Sequence, residues 1–211
     1  KMKLKERVSI EEILGTKFKI RTIEPLEYGE AALTHYIHNA DGKEAQFYLD
    51  EALNHVKNFL KNTELEENID AHVAENALQG LLFQEEIQIP FISPENPEFK
   101  FIDLFAGIGG FRIALQNIGG KSIFASEWDE NAKKTFFANF GEVPFGDITK
   151  EKTRNFIPDE FDILCAGFPC QAFSVAGYRK GFADTRGTLF FDIEEIAEKH
   201  RPKVLFLENV K

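Results

Sequence analysis

The chain has 211 residues, 43% apolar and 28% charged, which is the composition of an ordinary globular protein with room for one domain or two small ones. No stretch approaches the roughly 20 consecutive apolar residues of a membrane-spanning helix, and no apolar segment follows the basic start Lys1-Met2-Lys3-Leu4-Lys5, so neither a membrane anchor nor a secretory leader is expected. The net charge of −10 speaks against a basic nucleic-acid surface, and two cysteines, Cys165 and Cys170, make no disulfide framework, so a reducing cytoplasm is expected.

The acidity is uneven. Residues 1–97 hold 10 Lys/Arg against 18 Asp/Glu, whereas residues 98–211 hold 15 against 17. The composition changes at Ser93-Pro94-Glu95-Asn96-Pro97, where two prolines interrupt regular structure, and a domain boundary is expected there. If the second part works on DNA, most of its phosphate contacts come from elsewhere.

Residues 1–97 read as an acidic, mainly helical region. Ser9 and Glu12 have capping-box spacing ahead of Ile13 and Leu14, with Gly15 as the stop. Residues 17–23 alternate polar and apolar, as a half-buried strand does. Leu49, Ala52, Leu53, Val56 and Leu60 form one face of an amphipathic helix, and Asp70 would cap another that buries Val73, Ala77, Leu78, Leu81 and Leu82. His35 and His38 lack further ligands at metal spacing and read as packing or surface residues, so no metal site is expected. We attach no function to this part.

From residue 98 onward, strands alternate with helices. Strands are expected at Phe99–Phe105, Lys121–Glu127, Pro144–Ile148, Phe161–Ala166 and Lys203–Leu207, and helices at Phe111–Ile118, Asn131–Phe140 and Leu189–His200. This order predicts an α/β fold: a doubly wound, mostly parallel sheet that places ligands at the carboxyl ends of its strands.

Chemistry concentrates at those ends. The turn Asp103-Leu104-Phe105-Ala106-Gly107-Ile108-Gly109-Gly110 lets the backbone approach a ligand closely, and Glu127 follows 20 residues after Gly107, where a carboxylate binds ribose hydroxyls. The pair fits any nucleoside-containing cofactor, NAD included, although Gly-x-Gly-Gly leans away from a dinucleotide. Trp128 can pack on a purine, and Asp147 can accept from an adenine amino group. Cys165 lies inside an apolar strand and reads as a small core residue. Cys170, in the loop Gly167-Phe168-Pro169-Cys170-Gln171, reads as a reactive thiol. The aperiodic loop that follows carries Ser174, Arg179, Lys180 and Arg186, a composition suited to closing over a phosphate backbone. Glu208 ends the last strand.

Six segments in order closely resemble the DNA cytosine-C5 methyltransferases of bacterial restriction–modification systems: Phe101–Phe111, Glu127-Trp128-Asp129, Gly146-Asp147-Ile148, Gly167–Ser174, Arg186–Asp192 and Glu208-Asn209-Val210. The resemblance covers residues 98–211 and implies a Rossmann-like fold of the S-adenosylmethionine-dependent methyltransferase type. It implies that Phe105, Glu127, Trp128, Asp147, Ile148 and Leu189 line an S-adenosyl-L-methionine pocket. Asp103, Ala106, Gly107, Gly109, Gly110 and Phe111 would shape it at the turn, with Gly167 and Pro169 opposite. Cys170 would attack C6 of a flipped-out cytosine while Glu208 holds the base edge. Gln171, Ser174, Arg179, Lys180 and Arg186 would belong to a mobile DNA-facing loop. The family's arginine-bearing eighth motif, target-recognition domain and tenth motif are not found in the chain, and residues 1–97 do not supply them. The sheet is therefore expected to be incomplete at its C-terminal end, with an open last strand available for self-association. The chain is expected to be a fragment or one subunit of a split enzyme, inactive alone, that acts on double-stranded DNA through the complete enzyme, whose target-recognition domain lies in a missing part of the chain or on a second subunit. A catalytically silent scaffold and an NAD-dependent enzyme are the rival readings.

Overall fold

The computed structural model describes residues 6–13, 16–23, 27–62, 74–78, 89–168 and 188–209. The chain divides into two compact units, Lys1–Ile87 and Gln88–Lys211.

The first unit opens with an antiparallel pair, β1 (Glu6–Ile13) and β2 (Thr16–Ile23), in which Ser9 pairs with Ile20 and Glu12 with Lys17. The capping box expected at Ser9 and Glu12 is therefore absent, and both residues lie in a strand. Arg7-Val8-Ser9-Ile10 alternates polar and apolar, and this period of two outweighs the local cap signal once β2 is there to pair with. The strand expected at 17–23 is present. Two helices follow, α1 (Glu27–His38) and α2 (Gln46–Asn62). They bury Ala31, Ala32, Tyr36, Tyr48, Ala52 and Val56, so the amphipathic stripe read in α2 does face a core. His35 is buried among them: its Nδ1 donates to the Ala31 carbonyl oxygen at 2.8 Å, and its ring lies 5.2 Å from Tyr48. Residues 74–78 are helical and bury Ala74 and Leu78; Asp70, Val73, Leu81 and Leu82 lie outside the described residues.

The second unit is built on β3 (Phe99–Leu104), β4 (Gly120–Ser126), β5 (Ile163–Gly167) and β6 (Val204–Glu208), all parallel, in the order β4-β3-β5-β6. Between them run α3 (Gly110–Gln116), α4 (Glu130–Phe140), the short α5 (Glu151–Arg154) and α6 (Thr188–His200). Every residue of β4 is buried, as a strand covered on both faces requires. Register shows that the sheet is doubly wound. Cys165 pairs with Asp103 and with Phe206, and this face takes α3, with Phe101, Leu115 and Cys165 clustered and Phe111 4.9 Å from Phe206. Leu205 and Leu207 point to the other face and share a groove with Phe190, Ile193 and Ala197 of α6.

The strand expected at Pro144–Ile148 is reduced to one parallel bridge between Phe145 and Ser126. Pro144 has no N–H to donate and Gly146 has no side chain to pack, so pairing does not extend beyond Phe145. The boundary expected at 93–97 falls inside the second unit, because residues 89–98 pack with it: the Phe91 amide donates to the Asn139 carbonyl oxygen at 3.2 Å, and Glu98 to that of Gly119 at 2.9 Å. The prolines redirect the backbone without ending the packing. β6, at one side of the described sheet, is exposed at every residue.

Candidate functional site

Because all four strands run the same way, Leu104, Ser126, Gly167 and Glu208 end at one edge of the sheet. The glycine turn begins there. Phe105 takes a left-handed φ of 59°, a conformation that costs a non-glycine residue about 1–3 kcal/mol, and Gly107 and Gly109 follow at 56° and 94°. Gly109 has a second reason to be glycine: the ring of Phe140 fills the space of its missing side chain, and a Cβ there would lie 2.1 Å from a ring carbon.

The turn is held by Glu127. This buried carboxylate accepts from the Gly107 amide at 2.7 Å through one oxygen, and from the amides of Trp128 and Asp129 at 2.8 Å each through the other. The Ala106 amide adds a bond of 2.9 Å to the Ser126 carbonyl oxygen. Three N–H donors stabilise the buried carboxylate, and among the described residues one of its roughly four acceptor positions is left for a ligand hydroxyl. Asp129 then caps α4, accepting from Asn131 and Ala132. The third loop is joined on by the Glu127 amide to the Phe145 carbonyl oxygen, 2.8 Å, and the Phe145 amide to that of Ala125, 2.8 Å.

These bonds frame a cavity of about 140 Å³ lined by Phe105, Ser126, Glu127, Trp128, Gly146, Asp147, Ile148, Thr149 and Leu189. All six residues expected to line a cofactor pocket are among them. Asp147 spends one oxygen on the Thr149 amide and hydroxyl, at 2.9 and 2.8 Å, and its other oxygen lies 3.8 Å from Lys150 Nζ. Ser126, Gly146 and Thr149 were not expected. Gly146 belongs to the segment that points to Asp147, and Thr149 sits at the spacing of an Asx turn, so both carried a readable signal. Arg154 carried none. Its Nε donates to the Ile148 carbonyl oxygen at 2.9 Å, and its guanidinium pairs with Asp192 and, at 2.6 Å, with Glu195, tying α6 and therefore Leu189 to the cavity wall.

The remaining expected residues shape the site without lining that cavity. Ala106 is buried, and Gly110 opens α3 with open space where a side chain would stand. Phe111 turns to Phe206 instead. Asp103 lies beneath the turn, fully buried on the α3 face, and neither carboxyl oxygen has a hydrogen-bond partner among the described residues. Burial pushes its pKa up to about 8, with Arg112 opposing and Glu127 reinforcing the shift. Across the edge, Gly167 pairs in register with Glu208 and lies close enough that a Cβ on it would come within 3.3 Å of a Glu208 carboxylate oxygen. Cys165 is buried in β5, and burial, then Asp103, pushes its thiol well above the usual range. Pro169, Cys170, Gln171, Ser174, Arg179, Lys180 and Arg186 lie outside the described residues.

The site suits a nucleoside-bearing ligand. Apolar walls from Phe105, Trp128, Ile148 and Leu189 face the Glu127 carboxylate, the buried Ser126 hydroxyl has no partner among the described residues, and Gly107 leaves open space at the turn.

Residues 99–211 match the family model for C-5 cytosine-specific DNA methylase. Type II methyltransferase M.HpaII of Haemophilus parainfluenzae is 66% identical over 137 residues, which cover 63% of this chain and 38% of the relative. Type II methyltransferase M.HhaI of Haemophilus parahaemolyticus is 60% identical over 114 residues, covering 53% and 34%. The crystal structure of S. pombe Dnmt2 methyltransferase superposes with a TM-score of 0.43 at 25% identity, covering 54% of this chain and 37% of that one. The chain spans little more than a third of the length of the curated relatives it matches.

Two predictions follow from the turn. Gly109→Ala must strain its backbone and displace Phe140, so urea denaturation should show a loss of about 2–5 kcal/mol; a loss under about 1 kcal/mol would refute the packing described. Asp103 has a raised folded pKa, so between the model-peptide value of 3.8 and about 8 the unfolded chain releases a proton that the folded chain retains. The group therefore lowers stability as pH rises through that window. Asp103→Asn should gain on the wild type steadily from pH 5 to pH 8, and a pH-independent difference would contradict this.

Proposed function

The chain belongs to the C-5 cytosine-specific DNA methylase family, and from that premise we propose that it is the portion of a DNA cytosine-C5 methyltransferase that holds S-adenosylmethionine and carries the nucleophile. The observation that supports this reading most is the single sheet edge shared by the glycine turn, Glu127, the Gly146-Asp147 loop, Gly167 and Glu208.

In this reading Glu127 accepts from the ribose, Phe105, Trp128, Ile148 and Leu189 enclose the adenine, and Asp147 accepts from its amino group. When bound, S-adenosylmethionine supplies the methyl group. The chain's own residues prepare the acceptor. A cytosine flipped from double-stranded DNA enters beside Glu208, whose carboxyl group engages N3 and the exocyclic amine. The Cys170 thiolate adds to C6, which breaks the aromaticity of the ring and makes C5 nucleophilic. The proton of the Glu208 carboxyl group, passed to N3, would offset the negative charge that thiolate addition places on the ring. After methylation, loss of the C5 proton to solvent would break the C6–sulfur bond, release the Cys170 thiolate and restore the aromatic ring.

Gln171, Ser174, Arg179, Lys180 and Arg186 would close over the DNA backbone, and sequence would be read by a target-recognition domain, in the same polypeptide or on a second subunit. The exposed apolar residues Val204, Leu205, Phe206 and Leu207 on β6 suit pairing with such a chain or with a second copy. Among the described residues no helix is long and apolar enough to cross a membrane, and a cytoplasmic setting is proposed on the cysteine usage.

The two cysteines test the assignment. In the complete methyltransferase, Cys170→Ser should lower methyl transfer to DNA by at least about 1,000-fold and abolish the covalent adduct with 5-fluorocytosine DNA. Cys165→Ser should retain transfer within a few-fold. Equal loss from both, or an adduct that survives Cys170→Ser, would sink the proposal.

A further inference from the structure

The cavity side of the glycine turn is held by Glu127, and its back is held by the last turn of α4. Asn139 Nδ2 donates to the Ile108 carbonyl oxygen at 3.0 Å. The Phe140 ring fills the space beside Gly109. The Arg112 guanidinium lies 4.5 Å from the centroid of that ring, and Arg112 Nη1 is 2.7 Å from Glu142 in a buried ion pair.

Residues 91 and 92 engage this back support at Asn139 and Phe140 directly and at Arg112 through Gln116. The Phe91 amide donates to the Asn139 carbonyl oxygen at 3.2 Å, and its ring lies 5.7 Å from Phe140. The Ile92 carbonyl oxygen accepts from Gln116 Nε2 at 3.0 Å, while Gln116 Oε1 accepts from Arg112 Nε at 2.7 Å. Two routes therefore run from this dipeptide to the turn: one through Asn139 and Phe140 to Ile108 and Gly109, the other through Gln116 to Arg112 in the first turn of α3. Phe91 is 37% exposed and Ile92 72%, too open to serve as core, and what they contact is the support of the turn.

Both residues precede the family-matched segment 99–211. The match to the M.HpaII relative covers 63% of the chain, more than that segment contains, so it begins before Phe91, whereas the M.HhaI match is no longer than the segment itself. The brace thus lies outside the family-matched segment of this chain.

We infer that Phe91 and Ile92 are positioning residues that brace the glycine turn from behind and thereby set the affinity of the cofactor site. The inference rests on the S-adenosylmethionine reading of that site. The turn carries a left-handed Phe105 that forms part of the cavity wall, so a displacement well under an ångström would change binding.

Two readouts on the 211-residue chain separate the brace from the cofactor reading. Hydrogen exchange followed by mass spectrometry needs no ligand: Phe91→Ala should accelerate exchange at the amides of Ile108–Arg112 and leave β4 unchanged, and Phe91→Tyr should restore protection. S-adenosylhomocysteine binding, followed through Trp128, the one tryptophan in the chain, should weaken about tenfold in Phe91→Ala and stay within twofold in Phe91→Tyr. Asn139→Ala cuts the first route at its far end and should reproduce the local signature if Phe91→Ala folds poorly. Unchanged exchange and affinity in Phe91→Ala, or opening of β4 in step with the turn, would overturn the brace. Failure of the wild type to bind S-adenosylhomocysteine would overturn the cofactor reading, with the exchange data still deciding the brace.

Discussion

The buried carboxylate of Glu127 is the pivot of the second unit. One oxygen holds the turn that leaves β3 and the other holds the chain that leaves β4, so two loops from adjacent strands share one anion. Each such charge-assisted bond is worth about 1.5–3 kcal/mol, enough to offset the cost of Phe105 at positive φ and of desolvating the carboxylate. The cavity exists because this anion fixes the distance between its two walls, and α4 starts where it does because Asp129, pinned by the same carboxylate, caps it.

Around that pivot the parallel sheet does the rest. Strand direction alone gathers the glycine turn, Glu127, the bridge at Phe145 and the Gly167–Glu208 pair at one edge, although they are spread over a hundred residues of sequence. The same topology separates the two cysteines. Cys165 is locked into the sheet beside Asp103 with its thiol driven toward the neutral form, and the sequence continues from Gly167 at the ligand edge to Cys170. Five residues of spacing thus divide a packing sulfur from a candidate nucleophile. Arg154 closes the arrangement from the side by clamping α6 against the Ile148 loop.

Much of this was legible because it depends on local signals. Gly107, Gly109 and Gly110 announce a turn, Glu127 announces a carboxylate for a ligand at the next strand end, and the alternation of apolar runs with helical periods announces the sheet; that Glu127 also anchors the turn was not legible. What could not be read depends on partners distant in sequence. Ser9 and Glu12 fit a helix cap until β2 is present to pair with them. Pro94 and Pro97 look like a linker because their effect on the backbone is local, whereas Phe91 stays attached through Asn139, 48 residues away. The Arg112–Glu142 pair spans 30 residues with no periodic relation between its members. Arg112 and Glu142 carried no signal, since a buried ion pair and a surface one are spelled alike.

The central claim is that Glu127 both fixes the turn and faces the cofactor. Isothermal titration calorimetry of S-adenosylhomocysteine against the wild type and Glu127→Ala tests it directly. The account predicts that the wild type binds one equivalent and that Glu127→Ala, though folded, loses at least about 100-fold in affinity, as the removal of charge-assisted bonds on both sides of the cavity requires. Wild-type affinity in Glu127→Ala would contradict it.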